Sequence, residues 1–213
     1  MKTIFLLTIL LILQQFYTGE IMAKEENKVA KSSEDICPIK IGAEIPSAII
    51  KTIEGKEVDI KEVIKRQKSI VIFYRGGWCP YCNMHFSELQ KVEDDLLKLG
   101  YKIIAVCMDS PENLRATLDK YNMKYELYSD SKANAVKEFG IAFKVDDDYL
   151  NKLKSYGMDL EASSGETHHI LPVPSVFIID DKGVIQFEYV NPDYKVRLKG
   201  NILLEIAREF NEW

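Results

Sequence analysis

Histidine and cysteine are scarce in this 213-residue sequence: it has 3 His and 4 Cys. A tetrahedral zinc site needs four such ligands. Only Cys79 and Cys82 form a closely spaced pair, and Cys37, His85, His168 and His169 supply no second one, so no metal is expected. Four cysteines are also too few, and too unevenly spread, for a disulfide scaffold. Charge of one sign is missing as well, with 28 Lys+Arg against 33 Asp+Glu and a net charge of -5. Because the two signs are mixed along the chain, nothing concentrates the positive potential that a phosphate backbone requires, and nucleic acid is not expected as a partner. No apolar run approaches the ~20 residues that cross a bilayer, and there is no internal repeat. A content of 46% hydrophobic residues is enough for one sizeable core.

The N-terminal residues follow signal-peptide grammar, with a basic start at Met1-Lys2, an apolar stretch from Ile4 to Leu13 and then Gln14 and Gln15. Cleavage after Ala23 is expected, giving a signal peptide over 1–23, a polar linker over 24–38 and one domain over 39–213. The protein is therefore expected to be exported, periplasmic or otherwise extracytoplasmic. It would have no stable membrane span once cleaved, and would be membrane-anchored if the leader is retained.

Within the domain, Ser69 to Tyr74 (SIVIFY) reads as a strand covered on both faces. Arg75-Gly76-Gly77-Trp78 and the pair Cys79-Pro80-Tyr81-Cys82 follow. Pro80 suits the first helical turn, and Phe86, Leu89, Val92, Leu96 and Leu99 continue at helical spacing up to the stop at Gly100. Lys102 to Met108 reads as a second buried strand, and Pro111 to Tyr121 and Lys132 to Phe139 as helices separated by a short extended piece at Tyr125 to Tyr128. Ile141 to Val173 interrupts the rhythm and reads as an insertion, helical over Asp146 to Tyr156 and loop-like from Gly157 to His169. Ser175 to Ile179 and Val184 to Val190 form a hairpin, and Arg197 to Phe210 a closing amphipathic helix. Alternating strands and helices predict an α/β fold with a partly parallel sheet.

The chemistry resides in the cysteine pair. A sulfur at a helix N-terminus faces unpaired amide N–H groups and the positive end of the helix dipole, which favour the thiolate. Cys79 holds that place, and Cys82 lies one turn further in, near enough to close a disulfide. Arg75 is the expected auxiliary cation, stabilising a thiolate or a bound anion, against the plain alternative of a surface salt bridge. Cys107 reads as a core residue, Cys37 as an idle or structural thiol, and His168 and His169 as exposed loop residues. His85 reads as facing solvent or covering the pair.

These residues carry a resemblance. FYRGGWCPYCN at Phe73 to Asn83, Asp109-Ser110-Pro111, Tyr128-Ser129-Asp130 and PVPSVFIID at Pro172 to Asp180 resemble the peroxiredoxin-like branch of the thioredoxin superfamily, within the alkyl hydroperoxide reductase and thiol-specific antioxidant group. The likeness runs from about Ile39 to Phe210. It implies a thioredoxin-like fold, a central mixed sheet flanked by helices, with an insertion before the cis-proline strand. It implies that Pro174 is that cis-proline, with the Val173 backbone beside the sulfurs and ready to pair with an extended substrate. Cys79 and Cys82 become the catalytic residues, with Arg75, Trp78, Val173 and Pro174 as auxiliaries, and no cofactor.

Two alignments leave the attacking sulfur open: the peroxiredoxin register selects Cys82, the thioredoxin register Cys79. The resemblance also implies an arginine where this chain has Pro174, and a buried acid where it has Phe73. The expected function is a thioredoxin-dependent peroxiredoxin that reduces hydrogen peroxide or organic hydroperoxides, with a dithiol restoring the pair. An exported thioredoxin-like protein-disulfide reductase is the second reading. A non-catalytic binding module with a static disulfide is the third, and it predicts a pair that resists reduction at thioredoxin's potential of about -270 mV.

Overall fold

Strand β3, Ser69–Tyr74, is the centre of the molecule and is buried along its whole length. Its β-branched and aromatic residues suit a strand covered on both faces. The computed structural model describes residues 28–121 and 124–211, so the expected signal peptide lies outside them. In chain order the strands are β1 Ile49–Thr52, β2 Glu57–Asp59, β3, β4 Lys102–Cys107, β5 Glu126–Ser129, β6 Ala142–Lys144, β7 Ile170–Pro172, β8 Ser175–Ile179 and β9 Ile185–Val190. The helices are α1 Ile60–Ile64, α2 Pro80–Leu89, α3 Glu93–Lys98, α4 Pro111–Tyr121, α5 Asn134–Glu138, α6 Asp147–Ser155, α7 Leu160–Ser164 and α8 Gly200–Asn211.

Seven strands form one mixed sheet in the order β2-β1-β5-β4-β3-β8-β9. β3 is parallel to β4 and antiparallel to β8. Because side chains alternate along a strand, β3 serves two cores. Val71 and Phe73 pack with Phe139 and Phe177 on one face, where the Phe73 and Phe139 rings are 4.8 Å apart. Ile70, Ile72 and Tyr74 pack with Phe86, Leu89 and Leu203 on the other, where Tyr74 meets Phe86 edge-on at 4.8 Å. Each large apolar side chain so buried contributes about 1.5–3 kcal/mol relative to exposure. The parallel pairing brings the residues after β3 and after β4 to the same end of the sheet, so Arg75 to Cys79 lie beside Asp109.

Three sequence expectations change. The helix expected to run to Gly100 breaks into α2 and α3. Lys91 N–H and Val92 N–H donate to carbonyls only three residues back, and Gly200 packs so closely that a Cβ there would lie 3.1 Å from the Glu88 carbonyl. The end of α2 is thus tightened where the start of α8 crosses it. The insertion is held at its base by a separate two-stranded sheet, β6 with β7, and its loop-like half contains α7, capped by Asp159, which accepts from Glu161 N–H at 3.0 Å. Residues 28–38, expected within the polar linker, pack on the fold: Ala30 N–H donates to the Ala142 carbonyl at 2.9 Å and Lys144 N–H to the Ala30 carbonyl at 2.9 Å. Val29 and Ile36 bury against the core, so these two apolar residues dock a segment whose average composition is polar.

Candidate active site

Cys79 is the N-cap of α2, in extended conformation, with Pro80 at the first helical position. Proline costs nothing there, since its missing N–H would have no partner inside the helix. The glycines before the pair are dictated by crowding. A Cβ on Gly77 would sit 2.0 Å from Thr117 Oγ1, and one on Gly76 would sit 2.2 Å from Trp78 Nε1 and 2.6 Å from Asp109 Oδ1. Gly77 is further fixed on both sides: its N–H donates to Asp109 Oδ2 at 2.7 Å, and its carbonyl accepts from Asn83 Nδ2 at 3.0 Å.

Both cysteines of the pair are free thiols, each 1% exposed, yet their acidities diverge. Cys79 is pulled down to about 6, first by a hydrogen bond from the Cys82 side chain, then by the Arg75 cation, the Cys82 amide and Arg197, all against the cost of burial. Cys82 is pushed well up, first by burial, then by its hydrogen bond and charge interaction with Cys79. Near neutral pH these opposite shifts favour one anion, on Cys79, and one proton, on Cys82. Only Cys79 of the two lines a cavity of about 400 Å³, whose walls include Trp78, Tyr81, Tyr149, Met158 and Tyr194.

Arg75 sits between this cavity and a second of about 390 Å³. It is only 3% exposed, so the surface salt-bridge alternative does not hold. Its guanidinium lies 4.4 Å from the Tyr194 ring centre, 5.0 Å from Trp78 and 5.6 Å from Tyr149, and Nη2 donates to Tyr149 Oη at 2.9 Å. Aromatic faces thus hold the cation without neutralising it, leaving its charge directed at Cys79. Trp78 serves both as one of these faces and as a wall of the cavity.

The other expected auxiliaries are placed differently. No described peptide bond is cis, so Pro174 follows a trans bond. Trans is the lower-energy form of an X–Pro bond, and Val173 is locked in place around it. Val173 N–H donates to the Ile141 carbonyl at 2.8 Å, and its carbonyl accepts from Ser175 Oγ at 2.7 Å. The Val173 N–H is thereby occupied and not free to pair with an extended substrate. Both residues instead line the second cavity.

His168 and His169 are half-buried, their Nε2 atoms 2.6 Å from the Ser131 carbonyl and from Glu161 Oε1. His85 is buried against the Leu198 carbonyl, with Nε2 at 2.9 Å, and burial, then Arg197, depresses it to about 4. It is therefore neutral near pH 7. Cys107 is a core residue, as expected, and Cys37 is exposed.

Two residues escaped the sequence reading. Asp109, buried beneath the glycine pair, is raised to about 6, chiefly by burial. Arg197 reaches back from the segment before α8 to place Nη2 3.5 Å from Cys82 Sγ. Among the described residues no cluster of His, Cys, Asp and Glu could hold a metal ion.

Residues 41–188 match the AhpC/TSA family. The chain belongs to that family. The AhpC/TSA assignment agrees with the fold: the reduced Prx3 of Vibrio vulnificus superposes with a TM-score of 0.65 at 16% identity, covering 80% of this chain and 99% of that one. Peroxiredoxin 5 of Alvinella pompejana superposes at 0.62 with 20% identity, covering 81% and 99%. By sequence the chain is 24% identical over 170 residues to the bcp peroxiredoxin of Coxiella burnetii, 80% of this chain and 98% of that protein. It is also 22% identical over 162 residues to the thiol-disulfide oxidoreductase ResA of Bacillus cereus, 76% of each chain. This AhpC/TSA protein is thus an oxidoreductase with relatives among both peroxiredoxins and thiol-disulfide oxidoreductases.

Proposed function

We propose that this protein is a peroxiredoxin-like thiol peroxidase in which Cys79 attacks and Cys82 resolves. The observation that carries the reading is the split acidity of the pair, an anionic Cys79 opening on a cavity and a protonated Cys82 behind it. The Cys79 thiolate attacks a peroxide oxygen, an S–O bond forms and the O–O bond breaks, and the leaving alkoxide or hydroxide takes a proton from water. Cys79 is then a sulfenic acid. Cys82 loses its proton and attacks the Cys79 sulfur, releasing water and closing the disulfide. An external dithiol of the thioredoxin type returns the two electrons. A Cys79 that is 1% exposed favours a small oxidant, and the occupied Val173 N–H disfavours the strand-like pairing that a protein disulfide would use.

Protein-disulfide reduction is the second reading. Its support is the ResA likeness and a cavity far roomier than hydrogen peroxide needs. Stopped-flow consumption of hydrogen peroxide and of an organic hydroperoxide by the reduced protein tests the first reading. Turnover abolished in Cys79→Ser supports it. Reduction of insulin disulfides without any peroxide turnover overturns it in favour of the second. Export is part of the proposal and rests on the basic and apolar N-terminal pattern; a mature chain beginning at residue 24 in the extracytoplasmic fraction is the expected result. No described helix is long and apolar enough to cross a membrane.

A further inference from the structure

Closing the disulfide poses a problem that the split acidity creates. Cys82 is buried and protonated, and a thiol must become a thiolate to attack. Among the described residues, the groups acting on its sulfur include the Arg75 backbone N–H, which hydrogen-bonds it and favours its thiolate. Cys79 lies on the same helix, the Tyr74 hydroxyl interacts with it from β3, and Arg197 donates to it from the segment before α8 at 3.5 Å. Among the described residues, Arg197 is the cationic side chain that hydrogen-bonds Cys82. Its Nε is buried with no hydrogen-bond partner, and among the described residues it forms no ion pair, so its charge is not spent on a carboxylate. His85 is three residues beyond Cys82 and therefore on the same helix face. It bonds the carbonyl of Leu198, the residue next to Arg197, and so ties that segment to the helix. Neutral His85 does this without adding a second positive charge.

We infer that Arg197 is a catalytic residue of the closing half-reaction, activating Cys82 once Cys79 has been oxidised. In the reduced protein the Cys79 anion holds the Cys82 proton through charge and a hydrogen bond. When Cys79 becomes a sulfenic acid or a mixed disulfide, that anion is gone, and the charge left in contact with Cys82 is positive. The Cys82 proton then passes to water and the Cys82 thiolate attacks the Cys79 sulfur. An S–S bond forms, the bond from Cys79 to its leaving group breaks, and the electron pair departs with hydroxide or with the substrate thiolate. The inference rests on the pair cycling between dithiol and disulfide, but not on which oxidant drives the cycle.

Ellman's disulfide separates the two steps with one chromophore. Cys79 attack releases a first thionitrobenzoate, and Cys82 closure releases a second. The background is Cys37→Ser, since Cys37 is the exposed thiol. In Arg197→Met the second phase is expected to slow on the order of tenfold, the size of a lost charge-assisted hydrogen bond, and to move to higher pH, while the first changes far less. Arg197→Lys, which keeps a cation, recovers most of the second rate. Arg197→Gln gives the same reading should the methionine variant not fold. A second phase unchanged by loss of the charge overturns the inference, as does equal slowing of both phases or a lysine variant as slow as methionine. If the Cys37→Ser protein itself shows no second phase, the redox reading fails and this inference with it.

Discussion

If the fold stabilises the Cys79 thiolate, the reduced protein must gain stability as that thiol ionises. A thiol ionising at about 6 in the folded state and near 8.5–9 in the unfolded chain contributes stability that is complete above the unfolded value and is lost as pH falls through about 6. At 1.36 kcal/mol per unit, the gain between pH 6 and pH 8 is on the order of 2 kcal/mol. Other groups titrate nearby. Burial raises Asp130 to about 7 and Asp109 to about 6, and both lose stability as pH rises through those values. They remain in Cys79→Ser, so a difference between the two proteins removes most of their contribution. Urea unfolding of the reduced wild type and of Cys79→Ser, followed by tryptophan fluorescence from pH 5 to 8, measures that difference. The wild type is expected to gain on the variant by about 2 kcal/mol. Parallel profiles would refute the reasoning, because they would mean that folding leaves this thiol no more acidic than the free chain does.

Arg75→Met should lower the alkylation rate of Cys79 near pH 7 by roughly two- to fourfold, as loss of a nearby cation raises the thiol by about one unit or slightly more. Arg75→Lys should restore it poorly, since a point charge cannot stack on three rings; iodoacetamide kinetics in a Cys37→Ser background decide both. Gly77→Ala should destabilise by about 1–3 kcal/mol, because its methyl would overlap Thr117. Thermal melting should show much of that loss recovered in the double variant with Thr117→Ala. At pH 5, below the raised value of Asp130, Asp130→Ala should cost about 3 kcal/mol in urea unfolding, because the carboxyl group accepts from the N–H groups of Asn134, Ala135 and Val136 at 2.8, 3.0 and 2.9 Å.

Local pattern made the centre of the fold legible. The unbroken apolar run of β3, Pro80 at a helix start and the hairpin after Ile179 each have a short-range cause, and each appears where the sequence puts it. The hairpin turn is fixed by Asp180, whose Oδ1 accepts from Lys182 and Val184 N–H. What the sequence hides is long-range. The break between α2 and α3 falls where Gly200, more than a hundred residues away, packs against Glu88, and no periodicity carries that information.

The candidate site divides in the same way. Cys79, Cys82 and Arg75 belong to one contiguous motif. Asp109 was within reach: the residue after a strand parallel to β3 must emerge at the same end of the sheet, beside the pair. Arg197 had no comparable signal, since its contact with Cys82 spans 115 positions. Pro174 shows the reverse error. Its resemblance-based role depended on a cis bond, and the bond before Pro174 is trans.

An acidic Cys79 underlies both half-reactions, and the rate of its alkylation against pH measures that acidity directly. In reduced protein carrying Cys37→Ser, the rate of iodoacetamide labelling at Cys79, read by peptide mass, should rise through an inflection near 6 and level off by neutral pH. An inflection in the ordinary thiol range near 8.5 would contradict it.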